Sequence, residues 1–170
     1  MPVPGRIVFI REHRESKVNK ADLIQTIIRE LQEKVHTLHE SSQKTRAAGN
    51  DEQSRAEEKY DTRSTEENYL ADGLARQALA ATQTLTAFKA MPVKTFSNTT
   101  PIELSALIQL EMARESFWFL LAPVAGGLEV KHAGSEVTVL SSDSPLGLKL
   151  NGLTTGDQTH SPQAKILSVQ

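Results

Sequence analysis

Asp51, Glu52, Glu57, Glu58 and Asp61 crowd one short stretch, and Glu66, Glu67 and Asp72 extend it, with only Arg55, Lys59 and Arg63 to offset them. Carboxylates at this density suit a hard cation, which takes oxygen ligands. They equally suit the first turn of a helix, where the macrodipole favours negative charge, or a plainly solvated face. No other constellation is as dense. His36 and His39 stand three residues apart without a third ligand near in sequence, and read as exposed histidines. The chain has no cysteine, which excludes disulfides, thiolate metal sites and thiol nucleophiles. No nucleophile-elbow pattern supports hydrolysis, and no glycine-rich phosphate loop occurs, Gly126-Gly127 reading as a hairpin turn.

Two long helices must position the acidic stretch. The first is expected from about Asn19 to Ala48, with Asn19 as N-cap and Asp22 in the first turn. Ile24, Ile27, Ile28, Leu31, Val35 and Leu38 recur at three- and four-residue steps, a stripe of coiled-coil type. The stripe fades into Ser41, Ser42 and Thr45, and Gly49-Asn50 stops the helix. The second helix is expected to resume between Asp51 and Ser64 and to end near Phe88, before Pro92. Its seam is narrow and alanine-rich: Leu74, Ala78, Ala81, Leu85 and Phe88. The stripes pair as an antiparallel hairpin with Gly49-Asn50 near the tip, Leu31 and Val35 facing Leu74, Ala78 and Ala81. The alternative is a small helical bundle, for which no further helical stretch is present.

Pro92 to Pro101 reads as a linker, after which the apolar period becomes extended. Strands are expected at Leu104–Leu110, Ser116–Ala122, Leu128–Val130, Val137–Leu140 and Ala164–Val169, forming a small antiparallel sheet. Ser116–Ala122 is the most apolar and belongs at the centre, with at least one of Trp118 and Phe119 in the core. Ser144-Pro145 marks a turn into one short helix, Pro145 to Leu150, stopped at Gly152, and Gly156-Asp157 marks a second turn.

The net charge of −2 conceals a basic first segment, an acidic second one and a last third with few charges. No broad basic surface for duplex binding is evident, whereas segregated charge suits docking onto a protein with both signs of potential. No apolar run is long enough for a membrane span, and Ile7-Val8-Phe9-Ile10 is too short for a signal peptide, so the expectation is a cytoplasmic protein without membrane contact. The expected division is a flexible extension at 1–18, either a tail or the product of an upstream start, a hairpin domain at 19–91 and a β domain at 97–170.

The element Ser144-Pro145-x-Gly147-x-x-Leu150-x-Gly152-x-x-x-Gly156-Asp157, behind a helical hairpin, resembles the C-terminal domain of the Gre-type bacterial transcript cleavage factors. The resemblance implies an α+β protein: an N-terminal antiparallel coiled-coil hairpin followed by a small FKBP-like antiparallel β domain. It implies a monomeric transcription elongation factor that binds core RNA polymerase in its secondary channel and touches transcript RNA indirectly. It implies no enzyme activity and no cofactor of its own, but stimulated cleavage of backtracked transcripts through a Mg²⁺ shared with the polymerase. Asp51, Glu52, Glu57, Glu58 and Asp61 would then be the acidic tip, Asp51 and Glu57 the metal ligands, and Ser144, Pro145, Leu146 and Gly147 the docking surface. The tip departs from the family pattern. Glu57-Glu58-Lys59-Tyr60 has one residue fewer between Glu and Tyr, and Ser54 stands where the family has Asp. The alternative is a channel-binding regulator that competes with cleavage factors and delivers no metal. FKBP-like folds include prolyl isomerases, and this aromatic-poor domain is badly equipped for such a pocket.

Overall fold

A computed structural model describes residues 18–49 and 62–170. Helix α1 spans Lys20–Gly49 and helix α2 spans Thr62–Ala90. The Asn19 side-chain carbonyl caps α1, accepting from the amides of Ala21 at 3.0 Å and Asp22 at 3.4 Å. The helices run antiparallel against each other. Ser42 Oγ donates to the Ala71 carbonyl at 3.1 Å, and the Arg46 guanidinium meets Asp72 at 3.4 Å. These cross-links put Leu31 near the level of Leu85 and Val35 near that of Ala81. Leu74 therefore lies further out than the stripe spacing predicts, alongside Leu38 and Ser41.

Six strands follow: β1 (Leu107–Met112), β2 (Glu115–Ala122), β3 (Glu129–His132), β4 (Ser135–Ser141), β5 (Gln158–His160) and β6 (Gln163–Val169). They form one sheet in the order β3-β4-β2-β1-β6-β5. β2 lies inside it, as its apolar run predicts. The sheet is mixed rather than wholly antiparallel, because β4 runs parallel to β2. The connection leaving β2 passes over the end of β4, where Gly126 leaves no room for a side chain: a Cβ there would stand 2.9 Å from that of Ser141. Backbone bonds Gly127 N to Val139 O and Val139 N to Leu128 O fasten it. The chain then turns into β3 and comes back as β4 beneath its own crossing. β5, three polar residues paired with β6, is an element that the sequence does not announce.

The pleat sends alternate side chains to two cores. On one face Leu107, Leu120, Ala122, Val130, Val137 and Val139 pack with Val18, Leu23, Ile24, Ile27, Leu31, Phe88 and Met91 from the hairpin base. Val18, assigned to the extension by sequence, is thus buried; the rest of the extension, 1–17, lies outside the described residues. On the other face Ile108, Leu110, Leu121, Ala164, Ile166 and Val169 pack with Ile102 and Leu150. Ile166 and Val169 share this face because a bulge opposite Gln109–Leu110 inserts one residue and resets the alternation. Trp118 and Phe119 are both half-buried, on opposite faces.

The linker is anchored at both ends. Met91 belongs to the first core, while Phe96 and Ile102 join the second. The Lys94 amide donates to Ser105 Oγ at 2.9 Å, and Ser105 is buried in the left-handed region at φ 72°. Lys20 ties these pieces to α1. Its ammonium donates to the carbonyls of Lys94 and Gln170 and lies 4.6 Å from the Phe96 ring centre. Burial holds its pKa below the usual lysine value.

Leu31 is 5% exposed and Leu79, on the outer side of α2, is 61% exposed. Leu31→Asp is therefore expected to lose about 3 kcal/mol or more of stability, through the cavity and the unpaired buried carboxylate. Leu79→Asp should stay within about 0.5 kcal/mol. Urea denaturation followed by circular dichroism checks both, and equal midpoints for the two variants would overturn the packing described.

Candidate functional site

The five acidic candidates, Asp51, Glu52, Glu57, Glu58 and Asp61, including the proposed metal ligands Asp51 and Glu57, lie outside the described residues. What the structure gives is their mounting, between the far ends of α1 and α2. Downstream, Glu66 is exposed and Asp72 faces Arg46 across the hairpin. His36 is exposed and stands 3.3 Å from Glu40 one helical turn on, and His39 is exposed beside it. Among the described residues no group of His, Asp and Glu is placed to hold a metal ion.

The second candidate surface, at Ser144 to Gly147, is fully described. It opens helix α3, Pro145–Leu150, which follows directly on β4. The Ser144 hydroxyl donates to the Ser141 carbonyl at 2.7 Å and accepts from the Gly147 amide at 3.0 Å. Pro145 takes the first helical position, where its missing N–H costs nothing. Gly147 is buried, and a Cβ on it would stand 2.2 Å from the Ser141 carbonyl oxygen. Leu146 and Leu150 turn inward to the second core. Gly152, at φ 83°, ends the helix and donates to the Ile102 carbonyl at 2.8 Å, while Ile102 donates to Leu153 at 2.7 Å. Gly156, at φ 96°, and Asp157 form the next turn, where the Asp157 carboxylate accepts from the Thr154 amide at 2.8 Å and hydroxyl at 3.0 Å.

Each marked residue of this element thus has a local structural duty. Ser144 and Gly147 are spent on the turn and Leu146 is half-buried. The groups offered outward are Pro145, Leu148, which is 65% exposed, and the Asp143 carboxylate. Asp143 accepts a short hydrogen bond from Ser141 Oγ, which holds its pKa below the usual carboxylate value. The contribution of that bond is present at neutral pH and is lost as pH falls through the lowered pKa. Lys149, on the same helix, donates to the Ser161 carbonyl and so joins α3 to the β5–β6 turn. Leu148 and Asp143 lack any pattern by which the sequence marks them; only the inward duties of their neighbours single them out.

No family model matches the chain, and no curated protein matches it. The solved structures that the chain matches include two Gfh1 proteins. The GreA factor homolog 1 (Gfh1) protein of Thermus thermophilus is 14% identical over 91% of this chain and 96% of its own, with a TM-score of 0.32. Thermus aquaticus Gfh1 is 15% identical over 84% of this chain and 92% of its own, with a TM-score of 0.33.

Gly147→Ala should destabilise the protein by about 1–3 kcal/mol, because the added methyl meets a backbone carbonyl. Ser144→Ala should cost about 1 kcal/mol through the lost cap. Leu148→Ala should leave stability within about 0.5 kcal/mol. Thermal unfolding of the three variants checks this, and a Gly147→Ala protein as stable as the parent would contradict the geometry.

Proposed function

We propose that this protein is an accessory transcription factor that inserts its hairpin into the secondary channel of RNA polymerase. In this reading it presents carboxylates to the polymerase active site and promotes cleavage of backtracked transcripts. The observation that carries it is the mounting of the acidic segment. Helix α1, with 30 residues, is about 45 Å long. Only its first turns, up to Leu31, are held by the sheet core, with Val18 just ahead of the helix. From Leu31 to Gly49 it projects about 27 Å at 1.5 Å per residue. The acidic cluster from Asp51 to Asp61 follows in sequence. A slender antiparallel pair of helices whose connecting sequence is rich in carboxylates suits a site reached through a narrow passage.

The protein then works without chemistry of its own. Carboxylates from Asp51 and Glu57, with Glu52, Glu58 and Asp61 adding negative potential, suit Mg²⁺, which supplies charge stabilisation and water activation in phosphodiester cleavage. The β domain docks outside the channel through Pro145, Leu148 and Asp143, a small apolar patch with one negative charge. It suits a partner surface offering an apolar contact beside a cation.

A second reading has a specific observation behind it. Ser54 occupies an acidic position of the family pattern, and the Glu57-to-Tyr60 spacing is one residue short. On this reading the hairpin occupies the channel and delivers no metal.

RNA cleavage in stalled, backtracked elongation complexes separates the two. Under the first reading the protein stimulates cleavage. Asp51→Asn, Glu52→Gln, Glu57→Gln and Glu58→Gln together abolish that stimulation while polymerase affinity stays within about threefold, since in this reading the dock is made by the β domain. Under the second the unmodified protein gives no cleavage and inhibits an active cleavage factor. Leu148→Arg should weaken polymerase binding roughly tenfold under both, as loss of a contact in the docking patch. A protein that shows no affinity for core polymerase would sink both.

A further inference from the structure

We infer that the hairpin is two cooperative units in one pair of helices: a base that opens only when the whole protein unfolds, and a distal half that opens by itself. The inference concerns the isolated chain and stands whether or not a polymerase is its partner.

The two halves are held by different physics. At the base, Leu23, Ile24, Ile27, Leu31 and Phe88 are buried in a core completed by strands of the sheet. Opening there exposes large apolar side chains on both sides of the interface. Beyond Leu31 the buried residue of α1, among the described ones, is Ser42, and its counterparts on α2 are Ala71 and Ala78. Val35, Leu38 and Leu74 are half-buried, and Tyr69 and Leu70 point outward, 75% and 58% exposed. The distal half therefore withdraws little apolar surface from water. Its cross-links include the Ser42–Ala71 hydrogen bond and the Arg46–Asp72 pair, and the two side chains of that pair are both more than half exposed. Exposed pairs of that kind contribute little.

A two-helix seam of alanine, serine and half-buried leucine leaves the helices dependent largely on their own propensity, and short isolated helices are marginal in water. Low burial and solvent-exposed backbone bonds are what distinguish a segment that opens locally from one that opens globally. The boundary falls between Leu31 and Leu38 on α1 and between Leu74 and Leu85 on α2, where large inward side chains give way to small ones. The arms that carry the acidic segment can then splay while the base keeps its direction, and a partner that grips the far end selects one arrangement.

Native-state hydrogen exchange on the full-length protein tests this. Amides of residues 40–48 and 66–72 are expected to show protection roughly tenfold or more below those of residues 23–31, with rates insensitive to low urea, as for a small opening. Ser42→Ala should speed exchange of the distal amides several-fold and, because global unfolding also breaks the Ser42–Ala71 bond, that of the base by no more than the same factor. Ile27→Val should lower the protection of the base and leave the distal rates unchanged. Uniform protection along the hairpin overturns the inference, as does Ile27→Val shifting both halves by one common factor.

Discussion

Everything in this molecule depends on one apolar contact, the seating of the hairpin base on a face of the sheet. Val18, Leu23, Ile24, Ile27 and Leu31 approach from α1, Phe88 and Met91 from the end of α2, and Leu107, Leu120, Ala122, Val130, Val137 and Val139 from the strands. A fully buried side chain of this size contributes about 1.5–3 kcal/mol, so a contact involving so many of them outweighs every polar link between the two parts. It explains why the first turns of α1 carry more apolar residues than a two-helix seam needs: Leu23 and Ile24 address the sheet and the partner helix together. It also sets the direction of the hairpin. Lys20 adds a check from the other side, reaching Phe96, which packs on the opposite face of the sheet.

The parts of the fold that were legible in the sequence are those with a strong local cause. Asn19 caps a helix, the 3.6-residue stripe builds it, and Ser144-Pro145 with Gly152 bounds α3 at both ends. A continuous apolar run marks β2, and alternation marks β4. What escaped has non-local or quiet causes. The parallel pairing of β2 with β4 depends on a crossing that Gly126 makes possible by close approach, and in sequence Gly126 reads as an ordinary turn residue. The β1–β2 turn is made by Ala113 and Arg114, both at positive φ, where neither Gly nor Asn announces it. Ser105, also at positive φ, bends the chain where a continuous strand was expected, so β1 starts only at Leu107. Val18 is one apolar residue behind a charged run, and nothing but the fold tells it apart from the extension. At the candidate site, residue types were legible and their duties were not. Ser144 and Gly147 look like a surface motif until Ser141 is brought against them.

The Ser-Pro-x-Gly element shows why a recurrent pattern is not by itself a recognition surface. Its serine, proline and glycines satisfy a cap, a first helical turn, a close approach and two left-handed turns. These demands recur in any chain that must end a strand, make one helical turn against it and return. The groups left facing outward are Pro145, Leu148 and Asp143, of which Leu148 and Asp143 carry no part of the turn's helix-start and glycine duties.

The strand order carries a consequence for how the chain is made. Synthesis runs from the N-terminus, and domains generally fold as their residues emerge. The hairpin emerges first, with Leu23, Ile24, Ile27 and Phe88 facing a sheet that does not yet exist. Their cover arrives only when β1 through β4, ending at Ser141, have left the ribosome. β1 sits at the centre of the sheet, yet its second neighbour is β6, so its far edge stays open until Gln163–Val169 appear. For most of its synthesis the nascent chain therefore displays an apolar helical face and an unpaired central strand. Chaperones and other nascent chains would meet this protein first through those two surfaces, and the native molecule hides both.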